Sequence, residues 1–340
     1  MKAIKFFAIS AMAAAMITSC SSEDELSQSN YPSDNIIRVT AGVNNAKTRA
    51  DVKYSPMDKP FSLTIVNKNT VKPELASKYS YTDKVFSKSS GDWACSETLL
   101  WQDSKTPVDI VAFAPAQENK FSGVCDNDRN IKPITYSVAD DQSTKSDNND
   151  LLYYYAPGFN PGTSLDEKGK LSIQFNHAFC MIDINVTLGT EFNKPEVLKE
   201  SPIVKVTLGG TKIAANVDVT NAASVVTASE EAAATDITTT KGSFTPAENA
   251  DKKADPEVNA ISRFSCIAIP QTVAANTFKV SLMTAGKRYE WTSAEPVVLK
   301  SGYRYTLELS MGNDVVLLKG GSITATKWDE VTGLKPLETE

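Results

Sequence analysis

A single histidine, His177, stands in 340 residues. Imidazole is the usual general base, the central member of a Ser-His-Asp triad and a common zinc ligand. One imidazole leaves no His pair for zinc, and any triad must be built on His177. It lies in Phe175-Asn176-His177-Ala178-Phe179, an apolar run with neither a nucleophile nor an orienting acid beside it. The expectation is a structural histidine bonded to a neighbouring group. Asp126-Asn127-Asp128-Arg129-Asn130 has the opening of a calcium loop. That loop requires Gly at its sixth position and an acid at its twelfth, and here Ile131 and Ser137 stand there. Asp140, Asp141, Asp147 and Asp150 read as a solvated turn. Trp93, Trp101, Trp291 and Trp328 offer rings for stacking on sugars, although core packing is the commoner fate of tryptophan. No glycine-rich phosphate loop occurs. These residues point away from hydrolase and metalloenzyme chemistry, towards a non-enzymatic binding or structural protein with no cofactor and no metal.

The cysteines divide into two kinds. Cys20 ends Ile17-Thr18-Ser19-Cys20, preceded by Lys2, Lys5 and an apolar stretch over 6–17 broken by Ser10 alone. Twelve residues are too few to span a bilayer as a helix, which takes roughly 20. They suit the core of a signal peptide over 1–19, and the four residues ending at Cys20 resemble a bacterial lipobox, which makes Cys20 the expected lipidation site. Ser21-Ser22-Glu23-Asp24-Glu25 then opens an acidic tether over 20–35, similar to the surface-export signal of some outer-membrane lipoproteins. Cys180 and Cys266 sit in apolar runs and read as small buried hydrophobes. Cys95 and Cys125 could pair in an oxidising compartment.

The elements that must position these residues are strands. Period-2 alternation is clearest in 303–311, where Tyr303, Tyr305, Leu307, Leu309 and Met311 share one face. Similar runs occur at 37–43, 61–66, 108–114, 203–208, 213–219, 264–269, 278–283, 289–291, 315–318 and 323–328, with Gly, Pro, Asn and Asp between them. The run 171–188 changes phase near its middle, which predicts a bulge or a strand buried on both faces. Helical periodicity is nearly absent, 228–234 having the only helix-like composition. Pro157-Gly158-Phe159-Asn160-Pro161-Gly162 suggests a boundary. The expected architecture is all-β: two antiparallel β-sandwiches in tandem, over 36–165 and 166–340, with 221–259 a surface loop of the second. Lys and Arg number 35 against 41 Asp and Glu, a net charge of −6. That balance argues against a nucleic-acid partner.

Four segments in order resemble the bacterial fimbrillin family, the type V pilus pilins and their Mfa-like relatives. They are the lipobox at Cys20; Ile36-Ile37-Arg38-Val39-Thr40 leading to Lys47-Thr48-Arg49-Ala50; Asp150-Leu151-Leu152-Tyr153 followed by 171–179; and Ser301-Gly302-Tyr303-Arg304-Tyr305-Thr306-Leu307 with a strand pair ending at Trp328. The resemblance implies transthyretin-like sandwiches and export as an outer-membrane lipoprotein. It also implies cleavage by an arginine-specific protease between Arg49 and Ala50, which removes the strand 36–49. Ile37, Val39, Ala41 and Val43 alternate along that strand. The groove it vacates then takes a strand from another pilin subunit, and the product is a surface fimbrium that supports adhesion. A C-terminal donor is expected within 313–340, most narrowly 313–330, carrying Val315, Leu317, Ile323 and Trp328, with Gly320-Gly321 as hinge. Shaft, tip and anchor subunits share this pattern. The competing reading is a surface glycan-binding lipoprotein with the same anchor and sandwiches.

Overall fold

Alternating apolar residues can bury only one face of an extended chain, so the strands must stack around shared cores. The computed structural model describes residues 30–44, 55–192, 194, 196–312, 315–319 and 323–328. Cys20, Arg49, Ala50, Gly320-Gly321 and the tail beyond Trp328 lie outside the described residues. The first part of the chain forms β1 (Val39–Val43), β2 (Ser55–Pro56), β3 (Phe61–Asn67), β4 (Tyr81–Ser89), β5 (Asp92–Cys95), β6 (Val108–Ala114), β7 (Ile134–Ser137), β8 (Leu152–Phe159) and β9 (Leu171–His177). The second part forms β10 (Cys180–Leu188), β11 (Ile203–Lys212), β12 (Ala214–Val217), β13 (Val226–Ala228), β14 (Ala234–Thr238), β15 (Thr240–Thr245) and β16 (Ile261–Ala268). It continues with β17 (Gln271–Val273), β18 (Lys279–Thr284), β19 (Arg288–Thr292), β20 (Val297–Leu299), β21 (Tyr303–Met311), β22 (Val316–Leu318) and β23 (Thr324–Lys327). The chain is all-β apart from short helical turns, such as Pro73–Lys78, which the sequence reading did not foresee.

One sheet runs β2-β1-β9-β8-β6-β3-β4-β5. Its central strands β3 and β6 are buried along their whole length. Phe61, Leu63, Ile65, Ile110 and Ala112 face one core with Leu171, Ile173 and Phe175. Val111 and Phe113 face a larger second core. A second sheet runs β15-β16-β10-β21, with β22 and β23 both on β21. It packs across the larger core from β14-β11-β18-β19. In β10 and β21 the buried residues alternate as the sequence predicts.

Two expectations need correction, and the pairing of Cys95 with Cys125, left open by the sequence, is not formed. The run 171–188 is two strands, not one. Leu171, Ile173 and Phe175 pack in the first core, whereas Cys180, Ile182, Ile184, Val186 and Leu188 pack in the second. The phase changes where the chain passes from one sheet to the other, at Ala178 and Phe179. Residues 221–259 are not one loop, since β13, β14 and β15 form within them, and 228–234 joins the end of β13 to the start of β14 through a turn at 229–233. Cys95 and Cys125 are both free, and they pack against different cores.

The proposed boundary at 165/166 is crossed in both directions. β9 hydrogen-bonds into the first sheet beside β1 and β8. β7 leaves the first part of the chain to pair with β12 of the second. Gln142, 2 % exposed, fastens this joint. Its Nε2 donates to the carbonyls of Ala139 (3.0 Å) and Ile267 (2.9 Å). Its Oε1 accepts the Ile267 N–H at 2.8 Å. A buried amide matched this way leaves neither of its polar atoms unpaired.

Candidate strand-exchange site

The first strand is the element whose removal the family resemblance implies. Ile37 and Val39 are buried, and Ala41 and Val43 pack against the same first core. All four side chains therefore point inward, as alternation requires. β1 pairs in parallel with β9, Val39 opposite Leu171 and Val43 opposite Phe175, and its other edge meets the short β2. The ends are held by Ile37 N–H to Leu99 O (2.9 Å) and Asn44 N–H to Phe175 O (2.8 Å). Outside the strand, Arg38 forks onto Asp34, with Nη1–Oδ1 and Nη2–Oδ2 contacts of 3.0 and 2.6 Å. That guanidinium, with the Ile36 N–H, pulls the exposed Asp34 carboxyl down to about 2.

The core behind β1 is aromatic. The Phe61 ring lies 5.5 Å from Phe175, 4.9 Å from Trp93 and 5.4 Å from Phe86. Loss of β1 would leave the hydrogen-bonding edge of β9 bare above these rings. The edge that β1 covers is Leu171–Phe175, and Phe61, Leu63 and Ile65 of β3, itself paired on both sides to β4 and β6, lie in the core beneath it. Sequence alone does not disclose this: a parallel partner more than a hundred residues away leaves no local signal.

The C-terminal segment returns along the far edge of β21. Val316 is buried, whereas Val315 and Leu317 are 50 % and 59 % exposed. Ile323 and Trp328 pack against the second core. Trp328 also stacks on His177, with ring centres 4.1 Å apart and planes 8° from parallel. Its N–H donates to Gly302 O at 2.8 Å. His177 Nδ1 lies 2.8 Å from Asp150 Oδ1. The only histidine thus ties the end of β9, the start of β8 and the end of the return strand together.

The remaining candidates are engaged structurally. Asp126 accepts from Asn130 N–H (2.8 Å) and pairs with Lys132 (3.0 Å), contacts that lower its carboxyl to about 2, the Asn130 bond foremost. Asp140 and Asp141 each accept a backbone N–H within their turn. Among the described residues no group of three or more His, Cys, Asp or Glu is placed to hold a metal ion. Trp93 meets Phe61 edge-on, Trp101 stacks on Phe159, Trp291 abuts Phe278 and Trp328 covers His177. They form no common platform. Cys180 and Cys266 are buried, and that burial pushes both thiols far up.

Residues 48–328 match the family described as fimbrillin-like. The chain belongs to the fimbrillin-like family. Solved structures share its fold at low sequence identity. A fimbrial protein from Bacteroides vulgatus is 14 % identical with a TM-score of 0.51, over 86 % of this chain and 99 % of that one. Proteins assigned to cell adhesion from Bacteroides ovatus (14 %, TM-score 0.56, 86 % and 96 % covered) and Bacteroides uniformis (13 %, 0.54, 87 % and 99 %) are similar. No curated protein matches the chain. The matched residues include Asp150, His177 and Trp328, so the joint at His177 lies inside them, while β1 lies before them.

Proposed function

We propose that this fimbrillin-like chain is a structural subunit of a cell-surface fimbria. It is exported as a lipoprotein anchored through Cys20, activated by an arginine-specific protease that cuts between Arg49 and Ala50, and polymerised by strand exchange. The observation that carries this reading is the setting of β1. The side chains of Ile37, Val39, Ala41 and Val43 complete the first core, yet the chain reaches Arg49 only six residues past Val43. A cut there severs β1 from all later strands, leaving it held by hydrogen bonds and packing alone. An opened sheet edge above an apolar floor is the arrangement that accepts a strand from another chain. Head-to-tail strand addition does not close on itself, so it builds a filament.

The donor in this account is 313–330, whose β22 and β23 pair with β21 in the single subunit. No step in this account calls for a catalytic residue. Arg49→Ala is expected to leave a folded, lipidated subunit that no longer assembles, as read by electron microscopy of the cell surface. Normal filaments from that variant would refute the processing step. Donation is tested by cysteines at Ser172 on β9 and Thr326 on β23. A disulfide between subunits in filaments supports it, and one formed only within a subunit rules it out.

A further inference from the structure

A cleft of about 750 Å³ opens between the first sheet and the second part of the chain. That volume falls within the range of small-ligand sites. Tyr153 of β8 stands on one side. Tyr303, at the start of β21, shares the cleft with Ser301 and with Thr272 of β17. Tyr153 projects to the side of β8 that meets the second core, whereas its neighbours Leu152 and Tyr154 face the first. The cleft is therefore on the opposite face of the first sheet from the core that β1 completes.

Two features single it out. The hydroxyls of Tyr153, Thr272, Ser301 and Tyr303, and the Lys300 ammonium, make no hydrogen bond or ion pair with other described residues. Four hydroxyl residues and the exposed Lys300 thus line one cleft beside two half-buried aromatic rings. The charge is the second feature. The lining holds Lys212 and Lys300 and no Asp or Glu, on a chain where acids outnumber bases by 41 to 35. Lys212 is fixed by the carbonyls of Ser229 (2.9 Å) and Glu230 (3.1 Å). Lys300 is exposed and forms no ion pair with a described residue. The walls are built rather than fortuitous: Gln271 pairs through both side-chain polar atoms with the Lys212 backbone, at 2.9 and 3.0 Å.

We infer that this cleft binds an acidic oligosaccharide. A pyranose has flat C–H faces that suit a tyrosine ring and a rim of hydroxyls that suit other hydroxyls. A carboxylate on the sugar answers the exposed Lys300 ammonium, and a charge-assisted bond is stronger than a neutral one. The inference does not depend on polymerisation and goes beyond the structural role.

The test uses the full exported chain with sialyllactose and its neutral counterpart, lactose, as probes. Saturation-transfer NMR and calorimetry should show sialyllactose bound with a Kd on the order of 1 mM, and lactose bound more weakly. Lys300→Ala should bring sialyllactose down to the level of lactose while leaving lactose unchanged. Tyr303→Ala should weaken both sugars about tenfold. Thr272→Trp fills the cleft from an exposed position and should abolish binding with the thermal midpoint kept, which separates blockage from misfolding. Silence from both sugars overturns the proposal. So does binding that survives Thr272→Trp, or equal affinity for the two sugars. None of these results touches the processing of Arg49.

Discussion

His177 shows what one residue holds together. Its ring face carries Trp328 and its Nδ1 meets Asp150. His177→Ala strips both contacts and leaves a largely buried carboxylate, 18 % exposed, without its partner. Removing one member of such a pair costs about 1–3 kcal/mol, so urea denaturation should show that loss, and Trp328 emission should shift to the red. An unchanged midpoint and spectrum would contradict this joint. Asp34 gives a pH prediction. Its carboxyl is lowered from 3.8 to about 2, chiefly by the Arg38 fork. A lowered carboxyl stabilises the fold above the unfolded value and ceases to do so as pH falls through the folded one. Its contribution should be complete above about pH 4 and lost near pH 2, seen as a carboxyl NMR midpoint near 2 rather than 3.8. The structural character of His177 was legible from its apolar neighbours. Its partners were not, because both lie far along the chain and no local pattern names them.

Among the elements, the strands with apolar residues to bury were legible, whether one face is wet, as in β10 and β21, or both are buried, as in β3 and β6. β10 and β21 alternate cleanly because each lies over a single core. β14 buries Ile237 alone and β15 buries none of its residues, so their Thr-rich sequences resemble a loop. The phase change near Ala178 was visible, but its cause, a passage between sheets, is a tertiary fact. Within β11 the ladder slips between Leu208 and Thr211. Gly210 sits at that bulge with φ +84°, where an added Cβ would collide with the Thr277 carbonyl oxygen. Gly210→Ala should therefore destabilise the protein by roughly 2–4 kcal/mol, combining backbone strain with steric displacement. A thermal midpoint equal to that of the native chain would show that the bulge relaxes freely.

The whole molecule is interlocked rather than strung as beads. β9 completes the first sheet, β7 completes the β12 ladder, and Gln142 bonds across the joint. Pieces 36–165 and 166–340 each lose a strand to the other. Expressed alone, neither should show a cooperative urea transition, whereas together they should associate and recover one. The sequence suggested a break near 160 from its Pro and Gly, yet strands on both sides of that break pair across it. This rigidity bears on assembly: with the joint fixed, β1 is the strand that a single cut can free without dismantling the second core. The most direct test of that account is the N-terminal residue of the protein in filaments sheared from the cell surface. Processing and strand exchange predict Ala50. Lipidated Cys20 at the start of filament subunits would contradict them.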